Sequence, residues 1–256
     1  MPVDLADAKA LLARARRHYH EFERLIAFDH LWHVSERQDP KSSEWVYGIA
    51  LNKLRLVAAG PVIADCANNI ASALDHVAAA IAKAQGHARR DNLYFPWGLK
   101  DENFEKRLAA VEPLLGPTMT KVIAATRKEH GHEAVHVHSA KQISRDGKHW
   151  ELKATMGSAH AVQLVTEEFE THMFQVPGTA FDEADFYEFH RGTQKLPSAR
   201  AWELLIKLTV HGLDEGLANS PDSIFPCAFR FVQGVIHGVE KAQDEQESAD
   251  ARSTGP

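Results

Sequence analysis

The feature that most constrains this chain is the run from Pro61 to Gln85, PVIADCANNIASALDHVAAAIAKAQ. It is rich in Ala, has no Gly or further Pro before Gly86, and opens on a Pro suited to a first helical position, so it predicts one helix over 61–85. At helical spacing Ile63, Cys66, Ile70, Leu74, Val77 and Ile81 form one apolar stripe. Ala64, Ala67, Ala71 and Ala78 make a flanking small face that lets a second element come close. Asp65, Asn69, Ser72 and His76 align as a third, polar stripe. Between Val62 and Ala82 the only formal charges are Asp65 and Asp75. A helix so poor in charge is expected to be covered on most sides, with partners for its polar groups.

The segments around it predict their own structure. Residues 4–33 read as a long helix, with Leu5, Ala8, Leu12, Ala15, Tyr19, Phe22 and Ile26 at alternating three- and four-residue steps. That seam suits packing on the central helix of a bundle. Residues 35–43 read as a turn-rich loop, and the alternation around Trp45–Leu51 as a strand continuing towards Leu54 and Leu56. After Gly86, LYFPW is a loop anchored by Tyr94, Phe95 and Trp97. Short helices follow: one capped by Asp101 and separated by Pro113 and Pro117 from a second over 118–128, and a third over 134–146.

From Glu151 the chain alternates in strand fashion, predicting an antiparallel sheet of about five strands, with the strand at Trp45 a candidate to join it. Ser220 or Asp222 caps a final helix carrying Phe225, Phe229, Val232 and Ile236 on one face. The expected fold is therefore α+β: an N-terminal helical bundle around a buried central helix, an antiparallel sheet in the C-terminal half and a final helix. We expect a single domain over 1–242, helical over 1–150, strand-rich over 151–220 and closed by a helix over 221–242, with 243–256 a disordered tail.

Composition narrows the function classes. The net charge of −6 argues against a generally basic nucleic-acid surface, though not against a local basic patch. No apolar run is long enough to span a membrane, and the N-terminus lacks the basic-then-apolar pattern of a signal peptide, so we expect a cytoplasmic protein with no membrane partner. Cys66 and Cys227 lie in apolar helical patterns and read as buried free thiols. No P-loop, GxGxxG, GxSxG or HExxH motif is present, and no cofactor is expected.

Three stretches could carry chemistry. Asp65 and His76 lie about 16 Å apart along a helix axis, so a site would use one end of the polar stripe with residues from another helix. Asp65, Asn69, Ser72 and the adjoining Asp75 are the candidate ligand-binding residues, and His76 a candidate acid/base. In RDGKHW, Arg145 and Lys148 offer cations and His149 an acid/base to an anionic ligand. His130, His132, His136 and His138 have the spacing of a metal cluster but no Cys and no defined carboxylate ligand beside them; an exposed His-rich loop is the expectation, with no metal ligand set assigned.

DCANNIASALDH over 65–76, YFPW, and Lys148–His149 ahead of the strand-rich half together resemble a family of bacterial and phage-associated proteins without an assigned activity. In that family the helix reads D-x-x-H-N-x-R-x-A-L-D-H, and a motif similar to N-x-D-K-H-R follows. The match is strong at Asp65, Asn69, Ser72, Ala73, Leu74, Asp75 and His76, and at Lys148 and His149. The family helix is in turn similar to the R-x4-H signature of HEPN-type ribonucleases, helical metal-independent enzymes that act on the RNA phosphate, often at a dimer interface. This chain has Ala71 at the Arg position, Asn68 at the first His, and Arg145 and Gly147 at the Asn and Asp of the second motif.

Three readings follow. The leading one is a non-catalytic or regulatory binding protein whose polar stripe holds its helices in register and takes a small anionic ligand. The alternative is a HEPN-like ribonuclease, degenerate at Ala71, with His76 and His149 as acid/base pair, Arg145 and Lys148 on the phosphate, RNA as partner and a homodimer open. The third is a metal-dependent hydrolase using Asp65, His76 or His149.

Overall fold

The computed structural model describes residues 2–87, 93–145, 150–165, 168–174, 186–195 and 200–253. It has the α+β fold expected, with helices, antiparallel strands and a C-terminal helix. The chain divides into two compact units: residues 1–20, 62–150 and 213–256 form one, and residues 21–61 and 151–212 the other.

The first unit is a helical bundle. It contains most of α1 (Ala6–Leu25), the long C-terminal part of α3 (Lys53–Ala84), α4 (Asp101–Leu115), α5 (Pro117–Glu129), a 3-10 turn (Gly131–Glu133), α6 (Ala134–Arg145) and α7 (Pro221–Ser253). The apolar stripe of α3 is its core: Ile63, Cys66, Ile70, Leu74, Val77 and Ile81 are fully buried. At about 1.5–3 kcal/mol for each large apolar side chain removed from water, this stripe alone outweighs any surface ion pair in the unit. The seam of α1 is buried from Leu5 to Tyr19, whose ring packs on Phe225 and Phe229 of α7 at 5.6 and 5.8 Å.

Helix α7 starts as expected, with Ser220 accepting from the N–H groups of Ser223 and Ile224 and Pro221 at the first helical position. Gly234 and Gly238, one turn apart, let it approach α5: a Cβ at Gly238 would lie 2.9 Å from Val122 Cγ1, and one at Gly234 2.8 Å from His130 Nε2. The helix runs on to Ser253, through the polar stretch expected to be disordered; its alanines and the i,i+4 pair Lys241–Glu245 suit an exposed helical turn.

Among the described residues the second unit carries the strands, in two three-stranded antiparallel sheets rather than one sheet of about five. β2 (Trp45–Leu51) lies between β1 (Trp32–Gln38) and β5 (Phe186–Gly192); β3 (Glu151–Val165) lies between β4 (Glu168–Phe174) and β6 (Arg200–His211). The strand at Trp45 does take a late strand as partner, β5. Its other neighbour was not expected: residues 32–38, read as a helix end and a loop, pair with it in unbroken register from Trp32↔Leu51 to Gln38↔Trp45. Helix α1 accordingly stops at Leu25, not near 33, and the short α2 (Phe28–Leu31) intervenes. The hairpin turn is clamped to β5 by Arg191, which donates to Asp39 and Glu188 at 2.8 Å each and to Glu44 at 3.4 Å; the guanidinium holds the Asp39 carboxyl below its ordinary range.

Two helix boundaries also differ from expectation. α3 begins at Lys53 and carries Pro61 in its interior, so Leu54 and Leu56 are helical. Its start is set by Asn52, whose Oδ1 accepts the Arg55 N–H at 3.2 Å, a capping bond that makes the earlier start favourable despite the Pro. Asn52→Ala is expected to cost about 1 kcal/mol in urea unfolding. α4 runs through Pro113 to Leu115 and ends at Gly116, whose φ of 79° suits Gly. Its N-cap is Lys100 without a side-chain bond; Asp101 sits in the first turn instead and pairs with Arg127 at 3.2 Å.

Candidate functional site

The polar stripe of α3 is not uniformly covered. Asp65, Asn68 and His76 are exposed, Ser72 is partly buried, and Asn69 is buried with its Nδ2 donating to the Asp65 carbonyl at 2.6 Å. His76 Nδ1 lies 3.8 Å from Asp7 Oδ2 of α1, a solvent-exposed contact. The polar groups of α3 that meet α6 lie one position round the helix. Ser144 Oγ donates to Asn68 Oδ1 at 2.7 Å, and one stretch further along, Asp75 faces Lys141. Arg145 ends α6, exposed. Lys148 and His149 lie outside the described residues, so the expected His76–His149 pair has no geometry here.

Asp75 is the candidate ligand residue that turns inward. It accepts the Phe95 N–H at 2.8 Å and a hydrogen bond from the side chain of Trp97, and so pins the LYFPW loop on α3. Phe95 and Trp97 are buried as expected, with their rings 5.9 Å apart edge-to-face, while Tyr94 is exposed. Burial raises the Asp75 carboxyl above its ordinary range, against the lowering effect of these hydrogen bonds and of Lys141.

Lys141 stands on the buried side of α6, in line with Ala134 and Val137. Its Nζ lies 4.4 Å from the centroid of the Trp97 ring, and among the described residues it makes no hydrogen bond or ion pair. Burial brings the ammonium down to about 8; the charges of Arg107 and Arg145 add to that, and Asp75 opposes it. The neighbouring His138 is held below its ordinary value by burial and then by Lys141 and Arg107. Lys141, Arg107, Arg145 and the half-buried His138 thus act on one another electrostatically, with Asp75 opposing the charge at Lys141 and Asp214 that at His138. Trp97 and His138 also line a small cavity of about 20 Å³, room for a single water, with Phe95, Phe104, Arg127 and Phe231. The Nε of Arg127 is buried and has no partner among the described residues, while its Nη2 donates to the Leu99 carbonyl at 2.9 Å.

The His-rich segment divides between His130 and His132, which both lie beside Glu133, and His136 and His138, which do not. His130 Nδ1 lies 2.7 Å from Glu133 Oε2, and Arg230 Nε donates to Glu133 Oε1 at 2.6 Å, which ties the 3-10 turn to α7 around a fully buried carboxylate. His132 is exposed, His136 has its Nδ1 buried without a partner among the described residues, and His138 belongs to the Lys141 cluster. Among the described residues no group of three or more His, Cys, Asp or Glu is placed to hold a metal ion. Both cysteines are free, and burial pushes the Cys66 thiol well up, out of reach of thiolate chemistry.

The sequence pointed to Asp75 and Arg145 but not to Lys141, Arg107 or the partnership with Trp97. The available signal was a Lys falling on the apolar side of α6, where a salvaged stem and a displaced charge are both expected. Among the described residues no helix is long and apolar enough to cross a membrane. Compared with protein-family models, with curated proteins and with solved structures, the chain gives no match.

Proposed function

We propose that this chain is a non-catalytic binding protein for a small anion, taken at the seam of α3 and α6. The observation that carries this reading is Lys141, a half-buried ammonium with no anionic partner in contact among the described residues, flanked by the charges of Arg107 and Arg145 and backed by Trp97. An anion there gains charge-assisted hydrogen bonds in partly desolvated surroundings, where they are stronger than at an open surface. Asp75 keeps the loop that carries Trp97 in place and limits the net positive charge when no ligand is bound.

Calorimetric titration with oxalate and with inorganic phosphate, at fixed ionic strength, tests the reading. Saturable binding of at least one is expected, weakened about tenfold by Lys141→Met or Arg107→Gln. The Lys must be protonated to hold an anion, so affinity falls as pH rises through about 8. Absence of binding by both anions would sink the proposal. The ribonuclease reading is separated in the same preparation by incubation with a mixed RNA pool: cleavage that survives EDTA and disappears in His76→Ala would replace binding with catalysis.

A further inference from the structure

We infer that Lys141 is a reactive amine that captures a small anionic carbonyl compound, such as a 2-oxo acid, as a reversible imine over the Trp97 ring. This rests on the anion-binding reading of the same site and names the ligand class. Three features of the site argue for it. First, among the described residues Lys141 has no carboxylate in contact to hold its proton, unlike a surface Lys in an ion pair, and its neighbours Arg107 and Arg145 are cations. Second, burial brings its ammonium down to about 8, so both the charged form that attracts the anion and the neutral form that attacks a carbonyl are populated close to neutrality. Third, the product suits the place: an iminium keeps the positive charge and hence the contact with the aromatic face that the ammonium makes at 4.4 Å.

The step balances without an oxidant or reductant. The lone pair of neutral Nζ adds to the carbonyl carbon, and one N–H proton moves to the oxygen to give a carbinolamine. The carbinolamine takes up a proton from solvent and loses water, leaving C=N⁺ where C=O stood. Asp75, whose charge acts on the Lys141 ammonium, faces the charge that remains, with Asp214 on the His138 side, and the anionic group of the ligand is left for Arg107. His138, held neutral-leaning by burial, adds no further positive charge to oppose the iminium. A neutral aldehyde would have the electrophile but not the anchor.

The test is reductive trapping. The protein is incubated with glyoxylate and cyanoborohydride, and peptide mass spectrometry follows carboxymethyl addition at each lysine. At about pH 7.5 a group titrating near 8 carries far more free amine than an ordinary Lys; allowing for its lower intrinsic nucleophilicity, Lys141 is expected to label on the order of tenfold faster than the exposed lysines. Arg107→Gln should remove most of that advantage with glyoxylate. With acetaldehyde, which has no anionic group, the advantage should be much smaller. Labelling of Lys141 at the rate of the other lysines overturns the inference, and so does an equal preference for acetaldehyde. Oxalate has the two carboxylates but no electrophile, so oxalate binding without selective glyoxylate labelling would leave the anion-binding reading standing and reject imine capture alone.

Discussion

Glu133→Ala is expected to lower the free energy of unfolding by about 3 kcal/mol, read from urea unfolding followed by circular dichroism. The carboxylate is almost wholly buried and makes two short contacts, with His130 and with Arg230. Removing it takes away both and leaves the His130 nitrogen facing a void. His130 cannot swing far to find water: its Nε2 lies only 2.8 Å from where a Cβ on Gly234 would stand, and its ring packs edge-on against Phe231 at 6.3 Å. Arg230→Ala should cost much less, about 1 kcal/mol, because its side chain is 56% exposed and much of that attraction is screened. The asymmetry is the informative result. Equal losses from the two substitutions would mean that the pair acts as one rigid ion pair; a loss under about 1 kcal/mol for Glu133→Ala would mean that water enters and solvates the site.

The same segment shows what the sequence could and could not convey. Four histidines in nine residues are visible in the chain as a cluster, yet one turn of 3-10 helix and the start of α6 divide them: His130 and His132 both lie beside Glu133, while His136 and His138 have other surroundings. The buried stripe of α3 was legible because it is a local property: its apolar period holds whatever packs against it. The bounds of α5 and α6 were legible within a few residues for the same reason. Strand β1 was not, since WHVSERQ is polar over most of its length, lacks a clean alternation of its own and acquires its conformation by pairing with β2 across the hairpin. The start of α3 was obscured by Pro61, a strong local signal that the Asn52 cap overrides.

The site was half legible. Asp75 was a candidate because a carboxylate in a helix this poor in charge needs an explanation, and the structure supplies one in the Phe95 N–H and Trp97. The expected stripe ran through Asp65 and His76, which the structure leaves in solvent, because periodicity gives the spacing of faces and not which face meets another helix. Nothing in a single sequence links position 75 with position 141. That pairing comes from α6 lying against α3, as the Ser144–Asn68 hydrogen bond records.

Lys141→Met is expected to stabilise the protein near neutral pH, by about 1–2 kcal/mol. The folded state holds the Lys141 ammonium down at about 8, whereas in the unfolded chain it titrates near 10.5. Below about 8 both states are charged and the cost of burying the charge is fully present. Between about 8 and 10.5 the unfolded chain binds more protons than the folded one, so wild-type stability rises with pH across that window. Met has no charge to desolvate, fills similar volume and keeps a sulfur contact with Trp97, so its advantage should be greatest at neutral pH and shrink as pH climbs towards 10.5. Partial exposure, the lost ring contact of the ammonium and the loss of an attraction to Asp75 keep the gain below the full linkage value. Unfolding midpoints in urea for both proteins, from about pH 7 to about pH 10, measure it directly. A variant no more stable than wild type at pH 7 would mean that Trp97 and Asp75 fully compensate the charge, and Lys141 would then be a structural residue. A stabilised variant that has also lost anion binding and glyoxylate labelling would show an amine kept at a cost in stability for its chemistry, the pattern of a functional site on an otherwise consistent core.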